Sequence, residues 1–567
     1  MKKTIKRVLC GILAAAITIG GFAACGGGEK EVDESKTQLY VGIVDSGYGR
    51  SWLQEGIKRF ETENANTSFE NGKTGIQVFI DSVTYGNTIA ATLKGIRTEV
   101  IYSEDLNYYD LVNGGYLYDM TATVKEKLTA FGEDESIESK LSDSTKELFE
   151  FDGKYYALPF VSNSFGIVYD RDMFENEGWF FLSDGTPEKH AKYNSAMGYS
   201  FGKPEADLSS GPNGIVGDYD DGLPATFDQF FALCNKIAKN GKLPITWAGK
   251  YPEYVNYFLY NVWANGEGFD NMKMNYTFSG KADDLVERVD ENGNITFMPE
   301  TEISEDNGYL LNRQKGKYDA LDFLYRIVKN GFTNNNYYDE NQTFNENVGH
   351  LDAQDAYLLS SVEASKTPIA MIIEGTHWEN EATDTFTRIA ARFGSEYSKE
   401  NRRFGVMPIP HATEERIGQK PLFCDSSSAL TFINGNIAGN KVKAATEFVK
   451  FMHTDKSLSE FNRITSLCSA FDYEITESDY NAMTYFGKSN YEHYKHSELF
   501  IAKSKNPLYL KNYSTFSPLS LAIWQSNISG NPNKPVSEFR KGTTAVSYFN
   551  GISGYYSESF WNKSIKK

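Results

Sequence analysis

The sequence predicts an α/β fold with at least two domains. Strand-like and helix-like segments alternate over residues 39–102, an order that produces a parallel sheet. The chain has 567 residues, which exceeds the roughly 250–300 residues at which a single hydrophobic core stops growing. A large cleft between two domains therefore becomes possible.

The elements of this alternation follow from hydrophobic periodicity. They are strand 39–44, a helix marked by Leu53, Ile57 and Phe60, strand 76–81, a helix marked by Ile89, Leu93 and Ile96, and strand 100–102. Further helices are predicted around Leu321, around Val449, and after Thr226. Thr226 and Gln229 have the spacing of a capping box. We found no internal repeats.

The N-terminal segment 1–24 has the pattern of an export signal. Four basic residues precede an apolar stretch from Val8 to Ile19, and Phe22-Ala23-Ala24 lies before Cys25. The alternative is a transmembrane anchor, but residues 8–24 are interrupted by glycine and fall short of the ~20 residues of a span. Residues 25–38, rich in glycine and charge, are predicted to be a flexible tether.

The Phe-Ala-Ala-Cys ending resembles the lipobox of bacterial lipoproteins. The resemblance implies cleavage before Cys25, lipidation of its sulfur, and attachment to the outer face of the cytoplasmic membrane. Two acyl chains hold a protein stably at a bilayer. We therefore expect a lipid-anchored protein that is extracellular or periplasmic.

Charge and cysteine content exclude other classes of protein. Cleavage removes four of the 57 basic residues and no acidic ones, leaving 53 basic against 76 acidic side chains. Such an excess of negative charge disfavours nucleic acid as a partner. Cys234, Cys424 and Cys468 remain after lipidation, an odd number that argues against a full disulfide framework. A bridge between Cys424 and Cys468 stays open, and Cys234 is predicted to be buried on a helix.

Residues 178–225 are rich in Gly, Ser, Asp and Pro and are predicted to be an insertion over one lobe. Asp218, Asp220 and Asp221 precede Gly222, but their spacing does not match an EF-hand loop. Weak calcium binding there remains an alternative, and otherwise no metal is expected. Gly47-Tyr48-Gly49 lacks the third glycine of a dinucleotide fingerprint, so no cofactor is expected.

Several phrases, taken in order, resemble the extracellular solute-binding proteins of carbohydrate ABC importers. They lie in segments 52–60, 110–119, 156–160, 370–375 and 405–408. The resemblance implies two α/β lobes of the periplasmic-binding-protein type joined by a hinge, with the ligand between them. It implies lobe 1 at residues 39–161 plus about 404–462, and lobe 2 at about 162–403 plus 463–567. The implied partners are a carbohydrate and the importer's permease subunits, and the implied protein is not an enzyme.

A sugar ring requires flat aromatic surfaces for its C–H faces and polar groups for its hydroxyls. Position by position, the resemblance implies residues at strand ends and crossovers that supply both. The candidate ligand-binding residues are Asp45, Tyr102, Ser103, Asp105, Asn163, Trp247, Tyr254, Trp263, Glu374, Trp378 and Trp524.

Each candidate has a structural alternative. The tryptophans can belong to the core, whereas Trp378 follows an apolar strand and is favoured for ligand contact. Asp45 and Asp105 can be turn or capping residues. Two other functions also remain: a surface-anchored glycoside hydrolase, which needs two suitably spaced carboxylates, and a binding protein for a non-sugar ligand such as a peptide or polyamine.

Overall fold

Two β-sheets, each with its own hydrophobic core, organise the chain. The computed structural model describes residues 30–44, 46–84, 86–104, 106–251, 253–333, 348–425, 429–518, 534–551 and 557–567. We call the part built on the first sheet lobe 1 and the part built on the second sheet lobe 2. The two-lobed α/β architecture predicted from the sequence is confirmed.

The sheet of lobe 1 has five strands. Across the sheet they are Ile76–Ser82, Thr37–Ile43, Val100–Ser103, Leu430–Ile433 and Leu158–Pro159. The first three are parallel, with Thr37 opposite Ile76 and Val41 opposite Val100. The predicted β-α-β order is therefore confirmed. Because parallel strands end at the same edge, the loops after Ile43 and Ser103 lie on one side of the lobe.

The sheet of lobe 2 has four strands. Across the sheet they are Leu243–Thr246, Ile369–Gly375, Phe165–Asp170 and Phe404–Met407. The strand Ile369–Gly375 is parallel to the first of these and antiparallel to Phe165–Asp170, with Gly375 opposite Phe165. All seven of its residues are buried, which accounts for its continuous apolar run.

The lobes also contain short two-stranded sheets. Their paired strands are Glu150–Phe151 with Lys154–Tyr155, Phe180–Phe181 with Phe201–Gly202, Tyr193–Asn194 with Gly198–Tyr199, Gly280–Ala282 with Thr301–Ile303, Val286–Val289 with Ile295–Phe297, and Leu422–Asp425 with Glu498–Ile501. Four of these strands lie in the segment 178–202, so the predicted insertion contains small antiparallel strand pairs.

Helices cover the sheets. They are Ser51–Glu63, Ile89–Leu93, Tyr108–Asn113, Thr121–Lys125, Asp143–Phe149, Arg171–Glu177, Phe227–Lys239, Glu253–Glu267, Phe269–Thr277, Lys315–Lys329, His350–Ser360, Trp378–Glu381, Thr383–Phe393, Val442–Met452, Asp455–Thr465, Glu477–Ala482, Tyr485–Lys495, Pro507–Lys511, Lys534–Arg540, Ala545–Gly551 and Glu558–Phe560. The predicted cap is present, since the Thr226 side chain accepts a hydrogen bond from the Gln229 backbone N–H. Within the described ranges, no helix has both the length and the apolar character needed to cross a bilayer.

The boundary of lobe 1 differs from the sequence expectation. We expected residues 404–462 to return to lobe 1, but the strand Phe404–Met407 pairs with Phe165–Asp170 in lobe 2. The chain returns to lobe 1 only with the strand Leu430–Ile433. The apolar pattern of a short buried strand does not identify its partner, so the register of the sheet decided this boundary.

Within the described part of the chain, the crossing segment Val161–Ser164 connects a strand of each sheet. Its Ser162 N donates to Cys468 O at 2.8 Å. Asp425 also contacts this segment, since its Oδ1 accepts from Asn163 N at 3.3 Å. The structure contains three buried cysteines without a disulfide bond among its described residues, Cys234, Cys424 and Cys468. No disulfide therefore joins Cys424 to Cys468, the pairing that the sequence left open.

Candidate functional site

The loop after the first strand of lobe 1 reaches the strand end of lobe 2. The rings of Tyr48 and His377 meet edge to face with centroids 6.2 Å apart. A Cβ atom on Gly47 would lie 2.8 Å from His377 Cδ2 and 2.9 Å from Glu381 Oε1. Only glycine permits so close an approach of the backbone. The two lobes therefore meet at His377 and Glu381.

Asn163, in the first crossing segment, anchors this junction. Its Oδ1 accepts a hydrogen bond from Thr376 Oγ1 at 2.8 Å and lies 3.0 Å from His377 Nδ1. An amide oxygen only accepts, so the imidazole donates from Nδ1. Asn163 was predicted as a site residue, and the structure places it beside the lobe 2 strand end. It fixes the tautomer and the orientation of His377.

Aromatic rings surround His377. Phe165 contacts it at 5.7 Å and also packs on Tyr254 at 5.3 Å and on Tyr257 at 4.9 Å. Tyr254, another predicted site residue, stacks on the His350 imidazole at 5.8 Å. Together with Tyr48, these rings form an aromatic group contributed by both lobes.

Two carboxylates lie beside the aromatic group. Glu374 lies one residue before the end of the strand Ile369–Gly375, and its Oε1 lies 3.2 Å from Gln354 Nε2. The same Nε2 donates to Glu381 Oε2 at 3.0 Å. Burial, together with the nearby charge of Glu381, raises the pKa of the Glu374 carboxyl well above its usual range. Burial also lowers the pKa of the His377 imidazole, which favours its neutral form.

Sequence spacing explains why these side chains converge. His377 and Glu381 are four residues apart around the helix Trp378–Glu381, and His350 and Gln354 are four apart at the start of the helix His350–Ser360. Residues at this spacing share one helix face. His350 Nε2 lies 3.9 Å from Glu381 Oε1, so the two faces approach each other.

Three of the four tryptophans predicted as ligand platforms lie in the core. Trp247, Trp263 and Trp378 are all completely buried. Trp378 is packed among Phe386, Phe404 and Phe486, with ring centroids 5.2–5.9 Å away. Its neighbour His377 points to the lobe junction. The short helix beginning at Trp378 turns the indole inward, and ligand contact by Trp378 stays a sequence prediction.

Tyr102 and Ser103 belong to the strand Val100–Ser103 rather than to the loop after it, and both are buried. Tyr102 packs on Trp52 and Phe160, beneath the junction. Asp45, Asp105 and Trp524 lie outside the described residues, as does the predicted lipidation site Cys25. Their assignment stays a sequence prediction.

Several residues of this site were not among those predicted from the sequence. They are Tyr48, Phe165, Tyr257, His350, Gln354, His377 and Glu381. A usable sequence signal for the site was a histidine followed four residues later by a polar residue, as in His350 with Gln354 and His377 with Glu381. They were not recognised because nothing in the sequence alone brings the segment around 350 to the strand end at 375.

The acidic loop of the insertion forms a second cluster. Asp218, Asp220 and Asp221 each place a carboxylate oxygen within 4.8 Å of the others. Burial, followed by the hydrogen bond and charge of Asp218, raises the pKa of Asp220 to about 9. Calcium binding at this loop stays a prediction.

Two α/β lobes joined by crossing segments, with aromatic and polar side chains at their junction, define a two-lobed solute-binding protein. The chain belongs to the bacterial extracellular solute-binding protein family, whose model matches residues 46–457. No curated protein sequence matches the chain.

Solved structures share the fold at low sequence identity. The apo form of RafE from Streptococcus pneumoniae is 15% identical with a TM-score of 0.50, covering 91% of this chain and 100% of its own. A chitin oligosaccharide binding protein is 12% identical with a TM-score of 0.50, covering 91% and 95%. The GacH receptor of Streptomyces glaucescens GLA.O, solved unliganded and with acarbose, is 13% identical with a TM-score of 0.50, covering 94% and 99%.

Proposed function

We propose that this protein captures a carbohydrate, with an oligosaccharide as the favoured class, and delivers it to an ABC importer. The observation that carries the proposal is the aromatic group at the lobe junction, where Tyr48 of lobe 1 contacts His377 of lobe 2, which in turn contacts Tyr254. Aromatic faces suit the C–H surface of a sugar, and Asn163, Glu374 and Glu381 offer partners for its hydroxyls. RafE has been solved with raffinose and GacH with acarbose, which supports the same ligand class here.

Contacts from both lobes supply a mechanism for signalling occupancy. A ligand that touches Tyr48 on one side and Tyr254 on the other binds the closed arrangement more tightly than an open one. That difference in affinity sets how far the equilibrium between the open and closed states shifts toward the closed state. The importer's permease subunits can then distinguish loaded from empty protein.

Attachment to the membrane through Cys25 completes the proposal. The supporting observation is the lipobox-like sequence from Phe22 to Cys25. A diacylglycerol on Cys25 would hold the protein on the outer face of the cytoplasmic membrane, with residues 25–38 as a tether.

Calorimetry with a panel of oligosaccharides tests capture, using the mature chain and raffinose-type, chitin-type and acarbose-type ligands. We expect saturable binding to at least one ligand and no product after prolonged incubation. Release of shorter sugars would favour the hydrolase alternative, for which Glu374 and Glu381 are the carboxylates to examine. Binding of a polyamine or peptide, with no binding of any sugar, would overturn the carbohydrate proposal.

A further inference from the structure

Three side chains at the lobe junction converge with the chemistry of a metal site. Glu374, His377 and Glu381 each offer one ligand atom, and these atoms lie within 4.8 Å of one another. Glu374 and His377 are buried, and the Glu381 side chain is 15% exposed. Among the described residues, no lysine or arginine lies within ion-pairing distance of either carboxylate; the basic groups near Glu381 are His350 and His377.

The His377 imidazole is oriented as in a metal ligand. Its Nδ1 is engaged with Asn163 Oδ1 at 3.0 Å, which leaves Nε2 as the atom directed at the cluster. Nε2 lies 3.6 Å from Glu381 Oε2, longer than a hydrogen bond. Metal-binding histidines usually donate their other ring N–H to a fixed oxygen, as this one does.

Gln354 provides an independent observation. This side chain is completely buried, and its Nε2 donates to both Glu374 and Glu381. Its Oε1 is also buried and has no hydrogen-bond partner. A buried acceptor without a partner carries a penalty. A half-turn of the amide would direct Oε1 at a cation between the two carboxylates, in the place that Nε2 now occupies.

We propose that Glu374, His377 and Glu381 bind one divalent metal ion at the lobe junction, and that the ion is zinc. One imidazole nitrogen with two carboxylate oxygens is a zinc-type ligand set, whereas calcium and magnesium prefer oxygen alone. Ligand atoms around tetrahedral zinc lie roughly 3.3 Å apart, so the 3.6 Å between His377 Nε2 and Glu381 Oε2 requires little movement.

Three protein ligands leave one position of a tetrahedral ion open. Gly47 of lobe 1 approaches His377 and Glu381 directly, so the ion would lie where the lobes meet. This inference goes beyond carbohydrate capture and does not depend on it.

The experiment is a calorimetric titration of chelator-treated mature protein with zinc chloride, repeated with calcium chloride. We expect one zinc per chain and at least tenfold weaker binding of calcium. Glu381→Gln and His377→Gln should each weaken zinc binding at least tenfold. Asp218→Asn, which alters the other acidic cluster, is the matched control and should leave zinc affinity unchanged. X-ray absorption of the zinc-loaded wild type should show nitrogen and oxygen ligands with an imidazole signature, a readout that needs no variant.

The proposal is overturned if wild-type protein binds no stoichiometric zinc. It is also overturned if both ligand variants keep wild-type zinc affinity, or if the absorption spectrum shows sulfur ligands or no imidazole. Oligosaccharide calorimetry in chelator and in zinc separates this result from the proposed function. Sugar binding without zinc binding removes only the metal site, and zinc binding without sugar binding removes only the carbohydrate proposal.

Discussion

The Oδ1 atom of Asn163 lies 3.0 Å from the Nδ1 atom of His377, and this contact joins a crossing segment to the strand end of lobe 2. The same oxygen accepts from Thr376 Oγ1. One amide thus fixes two consecutive side chains at the place where lobe 1 and lobe 2 meet.

Asn163→Ala should lower the free energy of unfolding by about 1–3 kcal/mol, because the buried Nδ1–H of His377 loses its acceptor. Asn163→Asp is the matched variant, since it keeps an oxygen in place. Its negative charge should raise the pKa of His377, which burial lowers in the wild type. Urea unfolding measures the first effect and NMR titration of the imidazole the second. An unchanged His377 titration in Asn163→Asp would show that the contact is not formed in solution.

Tyr48→Ala should weaken oligosaccharide binding by about 2 kcal/mol, the scale of an aromatic hot spot at an interface. The ligand to use is the one that binds best in the calorimetric panel. Tyr193→Ala is the control, because Tyr193 is 63% exposed and lies in the insertion. Equal affinities for the two variants would exclude Tyr48 from the ligand site.

Trp378→Ala should destabilise the fold by about 3–5 kcal/mol, since it removes a fully buried indole from an aromatic cluster. Trp378→Phe should cost less because it leaves a smaller cavity. Denaturant unfolding gives the stability, and calorimetry on the folded variants gives ligand affinity, which should stay near the wild-type value. A loss of affinity at unchanged stability would restore Trp378 to the ligand platform that the sequence indicated.

Asp220 should make stability depend on pH. Its pKa is raised from 3.8 to about 9 in the folded protein, so the folded state holds a proton that the unfolded chain releases. The stabilisation is full below pH 3.8 and is lost as pH rises toward 9, at up to about 1.4 kcal/mol per pH unit. Asp220→Asn should flatten this decline between pH 5 and 9.

Asp143→Asn is the control for Asp220, because the Asp143 side chain is fully exposed. Unfolding should be measured in chelator. A slope unchanged by Asp220→Asn would mean that Asp220 is ionised in the folded protein. A slope that flattens in the wild type on adding calcium would support the calcium alternative for the acidic loop.

Cys25→Ser should release the protein from membranes of its native host, because the lipid is the proposed attachment. Fractionation followed by mass spectrometry of the intact chain checks this, with Cys468→Ser as a cysteine control that should remain membrane-bound. Finding Cys25 unmodified in the wild-type protein would rule out the anchor.

Features that depend on local periodicity and capping could be predicted from the amino-acid sequence alone. The apolar strand at residues 39–44 and the Thr226 cap are short-range signals, and the structure confirms both, as the strand Thr37–Ile43 and the start of the helix Phe227–Lys239. The ordered phrases from segment 52–60 to segment 405–408 also sufficed for the two-lobed class. These patterns can be recognised in the sequence because each depends on neighbours within a few residues.

Tertiary packing was needed to establish where the strand Phe404–Met407 pairs and which way each side chain near residue 375 points. A buried strand has the same apolar pattern in either lobe, so its register depends on partners more than two hundred residues away. His377 and Trp378 are adjacent in sequence, yet one meets lobe 1 and the other enters the core. A change of one residue rotates a helical side chain by about 100°, and the packing of lobe 2 selected which of the two would reach the junction.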